Sequence, residues 1–247
     1  MQNFNLKKLL LVSGVLLFGL AAVPSHVWTN LAKRPLAIVR RFKPEVDVMN
    51  RNVDKNRKAQ KAEQLFDGDT LTTGSDGYAA VQFMDNSLAK IKPNSMLVVN
   101  GQVDNSNKST ATRIVLDAGE IFLNVTPRSR SDFDVATPSS VASVKGTKFG
   151  TSVGSGGESY IWVSEGEVVV TAAKTGESVS ITPGMYGQVN SEGTVITTGK
   201  MKKSKMQDRE DEFDQMDSKM KPKKLRLKFR DKNGQLHQIN LDYYDND

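Results

Sequence analysis

The chain has 247 residues, no cysteine and only two histidines, His26 and His237, one near each end. That inventory excludes disulfides, thiolate metal sites and a cysteine nucleophile, and leaves the middle of the chain with no histidine for a Ser-His-Asp triad or a zinc site. The net charge of +6 is unevenly placed: residues 33–62 carry ten Lys/Arg against three acids, 64–199 nine against fourteen, and 200–232 thirteen against seven.

The N-terminus reads MQNFNLKKLLLVSGVLLFGLAAVPSHVW. Lys7 and Lys8 precede an uncharged apolar run, Leu9–Val23. This has the form of a signal peptide and is short for a membrane span, which needs about 20 apolar residues. Residues 1–25 are therefore expected to be a signal peptide, with an uncleaved N-terminal anchor as the second reading. Export to the periplasm or cell envelope follows, with inner-membrane anchoring in the second case.

Residues 26–63 are basic, with Pro35 and Pro44 early, and read as a linker ending in a short helix. From Leu65 the texture changes to short β-rich runs separated by D-G-D, S-D-G, D-N-S and P-N-S turns. In YAAVQFM, Ala79, Val81 and Phe83 alternate with Tyr78, Ala80, Gln82 and Met84, the period of a half-buried strand. Further runs of this kind reach TVITT, and no segment of 64–199 has helical periodicity. This predicts an all-β domain over 64–199, a twisted β-sandwich or short β-solenoid of about a dozen short strands.

The domain repeats itself. RIVLDAGEIFLNV (113–125) matches YIWVSEGEVVVTA (160–172) in form: an apolar strand, a Gly-Glu turn, an apolar strand. The glycines, Gly119 and Gly166, suit left-handed turn positions, and Glu120 and Glu167 fall at the start of the next strand.

Residues 200–247 form a charged extension. Phe213, Met216 and Met220 fall on one helical face before Pro222. LRLKFRDKNGQLHQINLDYY then reads as a β-hairpin with Asn233-Gly234 at its turn, and a bulge or changed face between Leu236 and Ile239. So small a hairpin needs something to dock on.

Four segments resemble the FecR domain family: DGDTLTTGSDGYAAVQFMDNS (67–87), TPSSVASVKGTKF (137–149), VSEGEVVV (163–170) and ITPGMYGQV (181–189). The resemblance marks Thr137, Pro138, Lys145, Gly146, Thr147, Phe149, Gly166 and Gly184 as signature positions, mainly structural ones. Lys145 stands where the family usually has arginine, and Ser140 where it usually has a smaller residue. Lysine is a point charge rather than a rigid five-donor fork, so a network around it would be looser. The regulator that names the family has a cytoplasmic tail that holds a sigma factor, ahead of a membrane span. Here eight residues precede the apolar run, so the expectation is an exported protein without that tail.

Other chemistry is weaker. Asp67, Asp69 and Asp76 lack the ligand spacing of a calcium loop and read as turn formers. Glu120 and Glu167 could be a glycosidase pair, but matched positions after a turn glycine suit surface residues better. The expectation is thus a non-enzymatic envelope protein with no cofactor, metal or nucleic-acid partner. It would bind an envelope protein or a cell-wall or surface polysaccharide, and its basic flanks would contact an anionic membrane or cell wall. The alternatives are a carbohydrate-active hydrolase on a β-solenoid scaffold and a transmembrane signalling regulator that has lost its effector tail.

Cleavage of the leader gives a mature chain that starts between about residues 22 and 29. N-terminal sequencing of protein from the envelope fraction checks this, and an intact Met1 in the soluble cytoplasm would overturn it.

Overall fold

The computed structural model describes residues 34–247 except 44, 54, 104–109, 128–132, 219–222, 231–235 and 244–247. The chain lays down β1 (Ala37–Phe42), β2 (Val46–Met49), β3 (Asn56–Lys58), β4 (Gln64–Leu65), β5 (Asp69–Thr73), β6 (Ala79–Phe83), β7 (Leu88–Ile91), β8 (Met96–Val103) and β9 (Thr110–Asn124). There follow β10 (Phe133–Ala136), β11 (Ser140–Val144), β12 (Lys148–Val153), β13 (Ser159–Glu165), β14 (Val168–Ala172), β15 (Ser178–Ile181), β16 (Met185–Val189) and β17 (Ile196–Lys200). One helix, α1 (Lys203–Ser218), and a hairpin, β18 (Lys223–Arg230) with β19 (Leu236–Tyr243), end the chain. The fold is all-β, with the helix and hairpin as a C-terminal extension.

The pairings make two layers joined by one strand. In the first, which we call layer A, the order is β4–β1–β6–β7–β9–β12–β13–β16–β17. In the second, layer B, it is β3–β2–β5–β8–β9–β10–β11–β14–β15. The 15-residue β9 serves both: its first part pairs with β8 and β10, and its second, from Gly119 on, with β7 and β12. Successive strands pass back and forth between the layers, so the sandwich is wound rather than folded from two separate sheets. All neighbours are antiparallel except β9 and β10, which run parallel.

Alternation puts one face of each strand into a shared core. Ala79, Val81 and Phe83 of β6 are buried, as the period-2 pattern predicts, and meet Leu71, Leu97, Ile114, Ile121, Phe149, Ile161 and Val170 in one apolar cluster. Phe83 and Phe133 cross edge to face at 5.3 Å.

Within the stretch expected to be a linker ending in a short helix, Ala37–Phe42, Val46–Met49 and Asn56–Lys58 are strands instead. Ala37 and Val39 are fully buried, and β1 pairs with both β4 and β6. The isolated apolar residues Val46 and Val48 are core residues of β2 at alternate positions. Arg57 clamps Glu63 through two short hydrogen bonds, which hold the Glu63 carboxyl below its usual range despite partial burial.

The two Gly-Glu segments of the internal repeat have a common role. Gly119 (φ 90°) and Gly166 (φ 82°) both sit where the chain changes layer. At Gly166 the strand is broken into β13 and β14, whereas β9 runs through Gly119 unbroken. The C-terminal hairpin has an unbroken register from Lys223↔Tyr243 to Arg230↔Leu236, so no bulge occurs there. Leu236 simply falls on the opposite face from Ile239, and the Asn233-Gly234 turn lies outside the described residues.

Candidate functional site

The signature residues build a corner and the rim of a groove. Thr137 starts the β10–β11 turn. Its Oγ1 accepts from the Ser140 amide at 2.9 Å and meets the Ser159 hydroxyl at 2.6 Å, while Ser139 also bonds Ser159. Four buried hydroxyls thus satisfy one another where a backbone turn would otherwise bury unpaired groups. Pro138 is exposed at the tip of this turn.

Lys145, Gly146 and Thr147 carry the chain from β11 in layer B to β12 in layer A. Gly146 has a φ of 73°, and a Cβ there would lie 2.7 Å from Pro127. A Cβ on Gly166 would lie 2.8 Å from the Gly146 carbonyl. Thr147 fastens the corner: its hydroxyl donates to the Glu167 carbonyl at 3.0 Å, and its own carbonyl accepts from the Val125 amide at 2.9 Å. Three crossings, after β9, between β11 and β12, and between β13 and β14, therefore stack on one another. Phe149 is buried in the core just beyond them. Gly184 lies elsewhere, in a Thr182-Pro183-Gly184-Met185 turn where its carbonyl accepts from the Met201 amide at 2.8 Å, just ahead of α1.

Beside the corner, on the outer face of layer B, lies an open groove of about 600 Å³ lined by Asp134, Ser143, Val144, Lys145, Glu167 and Val169. A second depression, lined among others by Asp67, Asn100 and Arg113, meets it at Asp134. Strand register makes the floor continuous: Asn100, Arg113, Asp134, Ser143, Val169 and Ser180 are successive partners across six strands. Ser143 donates to Asp134 at 2.7 Å. Both signs of charge, two hydroxyls and the exposed Val169 thus share one surface, whose chemistry suits a polar, extended partner.

The alternative chemistries are dispersed. Asp69 accepts from Asn50 and from the Phe66 amide, Asp67 pairs with Arg51, and Asp76 with Lys43, so each aspartate serves a turn or an ion pair. Among the described residues no three His, Asp or Glu side chains gather as a metal site. Glu120 lies on the outer face of layer A, bound by Lys92 and Arg209, whereas Glu167 borders the groove of layer B. They do not form a carboxylate pair. Trp162, Tyr160 and Tyr186, the rings a saccharide would stack on, are all on layer A.

Sequence reasoning did not find the floor of the groove. Arg113, Asp134 and Ser143 come from three strands, and only pairing places them in one row; the alternation of each strand was the one available signal.

The domain is a two-layer, wound, all-β sandwich built on a glycine corner. The family model described as FecR protein matches residues 69–169. Residues 69–169 are thus a FecR domain. No curated protein matches it. Two crystal structures of a candidate anti-sigma factor from Parabacteroides distasonis, at 2.50 Å and 1.65 Å, share 15% identity and a TM-score of 0.47 with it, over 56% of this chain. This chain spans 62% of the length of each of those chains, a likeness too slight to carry an argument about partner or activity. Among the described residues no helix is long and apolar enough to cross a membrane.

A valine at position 146 meets both the positive φ and Pro127, so Gly146→Val is expected to cost more than about 1 kcal/mol. Lys145→Arg restores the family's usual residue at an exposed position and is expected to leave the melting temperature unchanged. Thermal melts of the two variants decide the matter, and an unaltered Gly146→Val melt removes the corner from its structural role.

Proposed function

We propose that this protein is a non-enzymatic regulatory protein of the bacterial envelope whose FecR domain binds an envelope protein. The observation that carries the reading is the FecR match together with a groove rimmed by Lys145, at the family's signature position. The family match supports a regulatory role. A cell-wall or surface polysaccharide is the second candidate ligand. It is disfavoured because, among the described residues, no aromatic ring lines the groove. The Lys7-Lys8 pair and the apolar run after it support export of the domain to the periplasm or cell envelope.

Photo-crosslinking residues put at Lys145 and, separately, at Val169 are expected to trap the same envelope protein in living cells. One at Lys174, in the β14–β15 turn, is expected to trap none. Equal products from all three positions would remove the groove from partner binding.

The basic flanks are proposed to hold the protein against an anionic surface. Within the described part, Lys43, Arg51, Arg57 and Lys58 already form ion pairs with acids of the domain, which leaves the contribution to the other basic residues of 33–62 and to the C-terminal extension. The mature chain is expected to bind phosphatidylglycerol vesicles at low salt and to leave them by roughly 0.5 M salt, where the Debye length is short. Retention unchanged by salt would show that charge is not the cause.

A further inference from the structure

The outer face of layer A is unlike that of layer B. Strand register sets one row of residues across it: Arg41, Ala80, Lys90, Phe122, Gly150, Trp162, Tyr186 and Gly199 are successive partners. The two glycines make room for the rings. A Cβ on Gly150 would lie 1.8 Å from the Trp162 indole, and one on Gly199 would lie 2.6 Å from the Tyr186 hydroxyl. Tyr160 stacks on Tyr186 at 5.1 Å. The row is thus paved with aromatic rings at one end and carries three cations, Arg41, Lys90 and the neighbouring Lys92, at the other.

Helix α1 lies on this face, and its chemistry mirrors it. Phe213, its one buried residue, packs on Phe122 at 5.5 Å, beneath the Lys92 ammonium. Asp217 pairs with Arg41, Asp214 with Lys90 and Glu212 with Lys92. Arg209 reaches back over the Trp162 ring at 4.5 Å and to Glu120. An acidic helix with one aromatic anchor is what this surface selects.

The match is nonetheless imperfect, in three independent ways. Lys203 and Lys205 open the helix and Asp214 and Asp217 close it, so its charges oppose its own macrodipole at both ends. Among the described residues, the fully buried Trp162 indole N–H meets no acceptor. Among them the Tyr78 hydroxyl, buried near Asp217, meets no partner either. A helix of 16 residues with one buried side chain is marginal without its dock, and this one leaves two polar groups beneath it unsatisfied.

We propose that the outer face of layer A is a docking surface for an acidic helix of a partner protein with an aromatic anchor, and that α1 occupies it as a built-in competitor. The partner's helix would take the place of α1, set its aromatic ring against Phe122, and pair with Arg41, Lys90 and Lys92. The surface is on the opposite layer from the groove at Lys145, so each can fail its test without the other.

The chain has no cysteine, so Lys205→Cys in the full chain gives a single site for a spin label on α1. The probe is a synthetic peptide with the sequence of residues 203–218, added in excess. Saturable release of the label from its ordered state is expected. Phe213→Ala in the chain is expected to lower the peptide concentration required by about tenfold, because the competitor is weakened. Asp214→Lys in the chain should act in the same direction without leaving a cavity, and covers the case in which Phe213→Ala fails to fold. Lys90→Glu with Lys92→Glu should abolish the response, as should a peptide carrying Phe213→Ala. A label that never moves at millimolar peptide, or release indifferent to Lys90→Glu with Lys92→Glu, overturns the proposal. So does a concentration-dependent dimer of the Phe213→Ala or Asp214→Lys chain in sedimentation, which would mean that α1 exchanges between copies instead.

Discussion

The structure depends on one crowded corner, where Gly146, Gly166, Thr147 and Pro127 come within van der Waals distance of one another. The chain passes repeatedly between two layers, and three of those passages stack at the same end of the sandwich. Side chains cannot be accommodated there: the Cβ that any other residue would add meets Pro127 in one case and a carbonyl oxygen in the other. Thr147 then ties the passage before it to the one after it through a hydroxyl and a carbonyl. The register of β12 against β9 and β13 follows from this corner, and with it the rows on both outer faces, because a slip of one residue would turn each strand inside out.

Those two rows give the faces opposite characters from the same construction. On layer B the outward residues are mostly polar, with Arg113 and Val169 among them, and the face is open. On layer A the outward residues are rings and cations, and glycines at 150 and 199 let the rings lie flat on the sheet. Aromatic surface of that extent is costly to leave bare to water, and α1 covers it.

The forces that hold α1 are of modest size. Burial of Phe213 contributes about 1.5–3 kcal/mol. Two of the ion pairs to the sheet have an exposed partner, Asp214 at 69% and Glu212 at 57% of side-chain area, and exposed pairs contribute at most about 1 kcal/mol, while the Arg41–Asp217 pair is more enclosed. Opposed to these are the ordering of 16 residues and a dipole that works against the terminal charges. The helix exists by virtue of its dock, whereas the sandwich beneath rests on a continuous apolar core.

Much of the architecture was legible in the sequence, for a local reason: period-2 alternation and turn glycines are properties of neighbouring residues. These determined the all-β class, the strand at Ala79–Phe83, the turns at Gly119, Gly146 and Gly166, and a helix and hairpin after residue 200. The segments that misled were those where local signal is thin. β1–β3 read as a linker because Ala37, Val39, Val46 and Val48 stand among basic residues, and only pairing with β4, β5 and β6 makes them core. Tertiary structure alone decided the surfaces. Arg113, Asp134 and Ser143, or Lys90, Phe122 and Trp162, become neighbours by hydrogen bonding between strands far apart in the chain, and no pattern within one strand states which other strand will lie beside it.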